Sequence, residues 1–256
     1  NGEQLIPAWW TEEIGKMRVV IPEDEKKALT HYAYHIKAGK EIFAAEGAFG
    51  QYLICFRDYP VAIGITAGAS EYLAADICLK YIKEAVQIPC EKENLEEAQE
   101  KLEEKLVHLT LPKPEGDKKD TNEATKKLLN KRIVFTENPR QIESAVISTV
   151  GEELKLELTV AGEKKILFAG YKDWKCNDMY PNDFTKRYHA VSYAFDEDAL
   201  YLSVGLLNTS YREEYCLWVN SENVVVGTWR PNVTYLPAEE DMTWKFTGTF
   251  EPSCIL

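Results

Sequence analysis

The stretch ISTVGEELKLELTVAGEKKILFAG, residues 147–170, decides the fold class of the second half of the chain. Leu154, Leu156, Leu158 and Val160 alternate with Lys155, Glu157 and Thr159. A period of two places successive side chains on opposite faces of a strand, one apolar and one wet. Val150-Gly151-Glu152 and Ala161-Gly162-Glu163 interrupt the pattern, and glycine there supplies the backbone freedom of a hairpin turn. The same signature spreads in both directions. Strands are expected at Arg132–Thr136, Ile142–Val150, Leu154–Val160, Lys165–Ala169, His189–Phe195, Leu200–Leu206, Tyr215–Val219, Val224–Trp229 and Met242–Phe250. Asp196-Glu197-Asp198 and Asn220-Ser221-Glu222-Asn223 read as hairpin tips. Turns every ~8–12 residues predict an all-β antiparallel barrel or sandwich over 131–256.

The chain of 256 residues is 45% apolar, enough for a sizeable core. Thirty Lys and Arg against 42 Asp and Glu leave a formal charge of −12. That balance argues against nucleic acid or an anionic membrane surface as partner, since both demand clustered cations. No apolar run reaches the ~18 residues of a membrane span. No secretory leader is visible at Asn1, so the compartment stays open, with the cytoplasm favoured.

Upstream of the β segment, residues 88–130 read as a charged helix and a linker. Leu95, Ala98, Leu102, Leu106 and Leu109 make a narrow apolar stripe behind Asn94 and Glu97, a variant capping box. Thr110–Asn122 holds Pro, Gly and six charges, the composition of a linker.

Residues 1–87 are α/β in character. A β-prone run ends at Pro22, and Tyr32–Ile36 and Glu41–Ala45 read as strands around a turn at Lys37–Lys40. QYLICF (51–56) and VAIGITA (61–67) read as a hairpin apolar enough for burial on both faces. Ser70 caps a helix through Val86, with Leu73, Ile77, Tyr81 and Ala85 on one face and Ala74, Cys78 and Ile82 beside them, and this helix is expected to pack on the sheet. The six cysteines (Cys55, Cys78, Cys90, Cys176, Cys216, Cys254) form no CxxC, so free thiols are expected. His31 and His35 have zinc-helix spacing but lie in a strand-like segment without a further ligand, so no metal and no cofactor are expected.

Three stretches of this first segment carry a family resemblance. Asn1-Gly2-Glu3-Gln4-Leu5-Ile6-Pro7 with Trp10, then Glu46-Gly47-Ala48-Phe49-Gly50-Gln51-Tyr52, then Ala62-Ile63-Gly64-Ile65-Thr66-Ala67-Gly68, resemble in order and spacing the end of the catalytic domain of the β-lactamase family. That group includes class C β-lactamases, penicillin-binding proteins and related esterases. The resemblance implies a fold of α+β class: part of an antiparallel sheet with a packed helix, followed by the all-β domain, which looks like the extra C-terminal domain of some members. Phe135-Thr136-Glu137-Asn138-Pro139 lies near its start.

The chemistry of that family needs a Ser-x-x-Lys, in which Lys accepts the serine proton one helical turn away. No serine here has Lys three residues on. Tyr180-Pro181-Asn182 fits the family's Tyr-x-Asn only as a string and reads as a turn. Lys37-Ala38-Gly39 sits too early to be the Lys-Thr-Gly motif, and Ala45 occupies the family's Lys position. The resemblance implies Gly47 as a point of backbone approach and the Ala48 N–H as one arm of an oxyanion hole. The alternative is that Gly47 and Gly50 relieve crowding in a twisted sheet.

Two functions follow as expectations. The chain is the C-terminal part of a serine hydrolase, inactive alone, whose partner is the absent nucleophile segment or a second copy. Its substrate in the full protein would be an ester, amide or lactam. Alternatively it is a non-catalytic binding module, with Trp174, Trp218, Trp229 and Trp244 lining a barrel mouth or filling its core. Under the first reading the apolar strand at 61–67 is an open edge that needs cover.

Overall fold

A computed structural model describes residues 3–22, 27–69, 74–87, 95–116, 123–177, 188–196, 198–234 and 242–252. The chain divides into two units, Asn1–Thr110 and Leu111–Leu256, each with its own core.

The first unit begins with helix α1 (Ala8–Ile14) and is built on six antiparallel strands that neighbour one another in chain order. These are β1 (Val19–Val20), β2 (His31–Ala33), β3 (Ile36–Ala38), β4 (Ile42–Gly47), β5 (Gln51–Phe56) and β6 (Ala62–Ile65). One expected strand, Tyr32–Ile36, is instead a hairpin. Tyr34 and His35 both take positive φ, 48° and 62°, the two-residue turn whose twist matches the strands it joins. Neither residue is Gly, Asn or Asp, so the usual composition signal is missing. The next turn does depend on glycine, because a Cβ on Gly39 would sit 1.8 Å from the carbonyl oxygen of Ala28.

Helix α2 (Ala74–Ala85) packs on this sheet, and two sequence expectations need correction there. The inner face is Ala75, Cys78, Leu79 and Ile82, packed with Ile42, Ile54 and Phe56, whereas Ile77 and Tyr81 are exposed. The helix is apolar on more than one face, so periodicity alone allowed two rotations, and the small Ala75 won the close contact. Asp76 then points at the loop and accepts the Ala28 N–H at 2.7 Å. The β5–β6 hairpin is buried on one face only: Tyr52, Ile54 and Phe56 face the core and Leu53 is exposed. Among the described residues β6 pairs with β5 alone. Helix α3 (Leu95–Val107) follows, with Leu95, Leu102 and Leu106 exposed. The Ser70 and Asn94 caps lie outside the described residues.

The second unit is a closed barrel. Helix α4 (Glu123–Leu128) leads into β7 (Arg132–Phe135), β8 (Ile142–Val150), β9 (Glu153–Val160), β10 (Glu163–Tyr171), β11 (Lys175–Asn177), β12 (His189–Asp196), β13 (Ala199–Leu206), β14 (Arg212–Val219), β15 (Val225–Pro231) and β16 (Trp244–Phe250). Nine of these, the nine expected from sequence, close a ring in the order β10-β9-β8-β7-β16-β15-β14-β13-β12, and the short β11 lies along β12. Neighbours run antiparallel except at the seam, where β10 and β12 are parallel through Gly170↔Ser192 and Tyr171↔Tyr193. Geometry demands this seam: strands that alternate in direction around an odd-numbered ring must leave one parallel pair. The barrel is therefore not wholly antiparallel, and it is not a sandwich.

One barrel end is filled. Leu129 bridges to Ile147 on β8 while α4 contacts β13 and β14 across the ring, so this segment crosses the opening. Leu128, Ile133, Ile147, Leu154, Leu200 and Val225 are fully buried in the core of this unit. Gly227 is required inside the barrel, because a Cβ there would lie 2.4 Å from the ring of Phe246.

Candidate functional site: the open end of the barrel

Inward positions on eight of the nine ring strands leave a cavity of about 120 Å³. Its walls are apolar, built from Leu156, Leu158, Leu202, Val204, Leu217 and Phe246 among others. The polar lining groups are Arg140, Lys165, His189, Glu213 and Tyr215. Residues at the β7–β8, β9–β10 and β13–β14 turns mark the end of the barrel opposite α4.

The loop between β7 and β8 delivers Arg140 to this end. Asn138 is buried and shapes the loop: its Nδ2 donates to the Thr136 and Ile142 carbonyls at 2.9 and 2.8 Å, and its Oδ1 accepts the Ile142 N–H at 3.1 Å. A side-chain amide that satisfies three backbone groups fixes a loop without sheet pairing. The Nε of Arg140 then lies 3.1 Å from Oε1 of Glu213, and its guanidinium stands 5.8 Å over the Trp229 ring. The Tyr215 hydroxyl donates to the other Glu213 oxygen at 2.7 Å.

The electrostatics follow from burial. Desolvation, then the Glu213 carboxylate, pushes the Tyr215 phenol well above its ordinary value, so it stays a donor at neutral pH. Burial pulls the Arg140 guanidinium down, but Glu213 and Tyr215 outweigh that pull and it is held above its usual value. The Glu213 side chain keeps only 9% of its surface whereas Arg140 keeps 39%, so the acid is the more deeply sealed partner.

Of the four tryptophans expected to line a barrel mouth or fill its core, none lines the cavity, while Trp229 is buried in the core and Trp244 packs against it. Trp229 and Trp244 face each other across β15 and β16 with ring centroids 4.7 Å apart, just behind Arg140. Trp218 follows the inward Leu217 and so points outward. The Trp174 indole donates to the Leu111 carbonyl at 3.3 Å. The five polar lining residues were not singled out from sequence. Their signal is parity: Glu213 and Tyr215 share a face with Leu217, Lys165 with Leu167 and Ala169, and His189 with Val191 and Tyr193.

In the first unit, Gly47 ends β4 and Ala48 lies in the turn to β5. A Cβ on Gly47 would meet the Gln51 Cβ at 3.1 Å, and Gly50 has φ +87°. Lys37 forms an ion pair with Glu46 at 2.8 Å. His31 takes part in β2 and faces the Thr30 hydroxyl at 2.9 Å. Among the described residues no three His, Cys, Asp or Glu gather as a metal would need. Cys55, Cys78, Cys176 and Cys216 are free thiols, and Cys90, Cys254 and Tyr180-Pro181-Asn182 lie outside the described residues. No helix among the described residues is long and apolar enough to cross a membrane.

No family model matches the chain. No curated protein matches it either. Matching solved structures include a secretary abundant heat soluble (SAHS) protein from Ramazzottius varieornatus, 14% identical, covering 42% of this chain and 70% of that one with a TM-score of 0.34, a likeness too slight to carry an argument.

Proposed function

We propose that the barrel is a binding module that takes a compact, mainly apolar small molecule into its open end. The observation that supports this most is the cavity itself, an apolar space of about 120 Å³ in a barrel whose other end is crossed by α4. Apolar voids of about 150 Å³ stay dry and admit benzene, whereas drug-sized ligands need roughly 300–1,000 Å³. The ligand is therefore about the size of one substituted ring. Titrating 4-fluorotoluene against the whole chain by ¹⁹F NMR tests the reading. Saturable broadening is expected, and Val204→Phe, which places a ring in the cavity, abolishes it. No saturable binding at millimolar probe refutes the module.

A second reading concerns the first unit: that it is the C-terminal part of a β-lactamase-like serine hydrolase. It is favoured by the order of two of the three quoted motifs, 46–52 and 62–68, along the consecutive elements β4, β5 and β6 ahead of α2. Under it Gly47 and the Ala48 N–H await a nucleophile supplied by a chain segment outside this sequence, and this chain alone neither hydrolyses nitrocefin and p-nitrophenyl acetate nor takes up a fluorescent penicillin covalently. Restoring turnover by adding the candidate nucleophile segment supports the reading, and failure of every such segment to associate counts against it.

A further inference from the structure

We infer that the free edge of β6 is an interface between copies of this chain, two β6 strands pairing antiparallel about Gly64. The inference concerns the first unit and rests on neither functional reading above.

Strand parity fixes which backbone groups the edge offers. The Phe56 N–H donates to the Val61 carbonyl at 3.1 Å, so Val61 turns its carbonyl towards β5. Along an antiparallel ladder, hydrogen-bonded and non-hydrogen-bonded pairs alternate. Ile63 opposite Ile54 and Ile65 opposite Tyr52 are then the bonded pairs. Ala62 and Gly64, opposite Cys55 and Leu53, turn both N–H and C=O away from β5, and Thr66 continues the series. All three are exposed, and among the described residues β6 has no strand on its outer side. The Gln51 amide donates to the Ala67 carbonyl, which keeps the chain in line past the last paired residue.

This edge lacks the devices that keep sheets apart. Edges are ordinarily blunted by charge, proline or a bulge. Residues 61–69 read VAIGITAGA, with neither charge nor proline, and the β5–β6 register runs without a shift. A Cβ on Gly64 would meet nothing within 4 Å, so the centre of the strand is unobstructed.

A second copy fits this edge in one register. With Gly64 opposite Gly64 of the second copy, Ala62 meets Thr66, and each facing pair exchanges two hydrogen bonds. Moving the register one pair towards the N-terminus brings in Pro60, which has no N–H. Moving it one pair the other way brings in Gly68, which already has a partner. In the Gly64 register Ile63 lies opposite Ile65 of the second copy on the α2 face. Both pack against the core of their own unit, so the apolar layer continues across the join. The opposite face presents only Ala62, Gly64 and Thr66, which are small and uncharged. A symmetric pair sets each strand against itself, so any charge on it would oppose its own kind; a strand without charge is the one that admits its copy.

The test is sedimentation equilibrium of the whole chain from about 5 to about 500 µM, with hydrogen exchange at the Ala62, Gly64 and Thr66 amides. A monomer–dimer equilibrium is expected, and protection of these three amides rises with concentration. Gly64→Lys and Gly64→Glu each set like charges opposite one another at the centre of the pair, and each should weaken the dimer about fivefold or more. Mixing the two variant chains should restore a dimer containing one of each. If the variants do not fold, the concentration dependence of the three amides in the unaltered chain decides alone. A monomer at every concentration, amides that exchange alike throughout, or a dimer indifferent to charge at position 64 overturns the assignment.

Discussion

Removing Arg140 should harm the barrel more than removing its partner, and the asymmetry can be worked from burial. Arg140→Met strands the Glu213 carboxylate, which keeps only 9% of its surface and retains the Tyr215 hydroxyl as its one strong donor. Breaking a buried pair costs about 3–5 kcal/mol, and the partial exposure of Arg140 places this case near about 3 kcal/mol. Glu213→Gln strands a guanidinium that keeps 39% of its surface and can take water, so about 1.5 kcal/mol is expected. The double variant leaves no unpaired charge. It should cost under about 2 kcal/mol, short of additivity by about 2 kcal/mol or more. The assay is native-state hydrogen exchange at the amides of Leu156, Leu202 and Leu217, which reports the opening of the barrel itself in a two-unit chain. Additive single variants, or a Glu213 variant costlier than the Arg140 variant, would refute the assignment of Glu213 as the sealed partner.

Three further outcomes are expected. Because burial raises the folded-state phenol of Tyr215 above its ordinary 10.0, barrel stability is complete below that pH and falls as pH rises beyond it, by up to about 1.4 kcal/mol per pH unit. Tyr215→Phe should reduce that alkaline slope in urea titrations between pH 9 and about 11, while costing about 1–2 kcal/mol at neutral pH through the abandoned Glu213 oxygen. Burial raises the thiols of Cys55, Cys78 and Cys216, so peptide mapping after iodoacetamide at about pH 8 should find them labelled more slowly than exposed Cys176. Gly39→Ala drives a methyl into the Ala28 carbonyl, 1.8 Å away, and should destabilise the first unit by about 3 kcal/mol or more, read at the amides of Ile42 and Ile54.

Most barrel strands were legible because they carry a solvent face, whereas β12 is buried on both faces from Ala190 to Phe195. Leu154 to Val160 alternate cleanly, and Gly151, with Ala161 and Gly162, takes the positive φ that the intervening turns require. Closure was not legible in any one strand. It emerges from the count, since nine consecutive hairpin-like strands can close only with a parallel seam at Gly170 and Ser192. The hairpin at Tyr34-His35 was hidden because its residues are not turn formers, and the rotation of α2 because two of its faces are apolar. The site was hidden for a different reason. Glu213 and Lys165 look like ordinary surface charges until strand parity places them with Leu217 and Leu167, and Arg140 stands in a loop whose shape depends on Asn138.

Methyl-resolved NMR of the whole chain, titrated with toluene, decides whether the barrel receives a small molecule. Saturable shifts are expected at Leu156, Leu158, Leu202, Val204 and Leu217, which line the cavity, with Leu154, Leu200 and Val225 near the α4 end little changed. Shifts confined to the exposed leucines of α3, or no saturable shift at all, would contradict it.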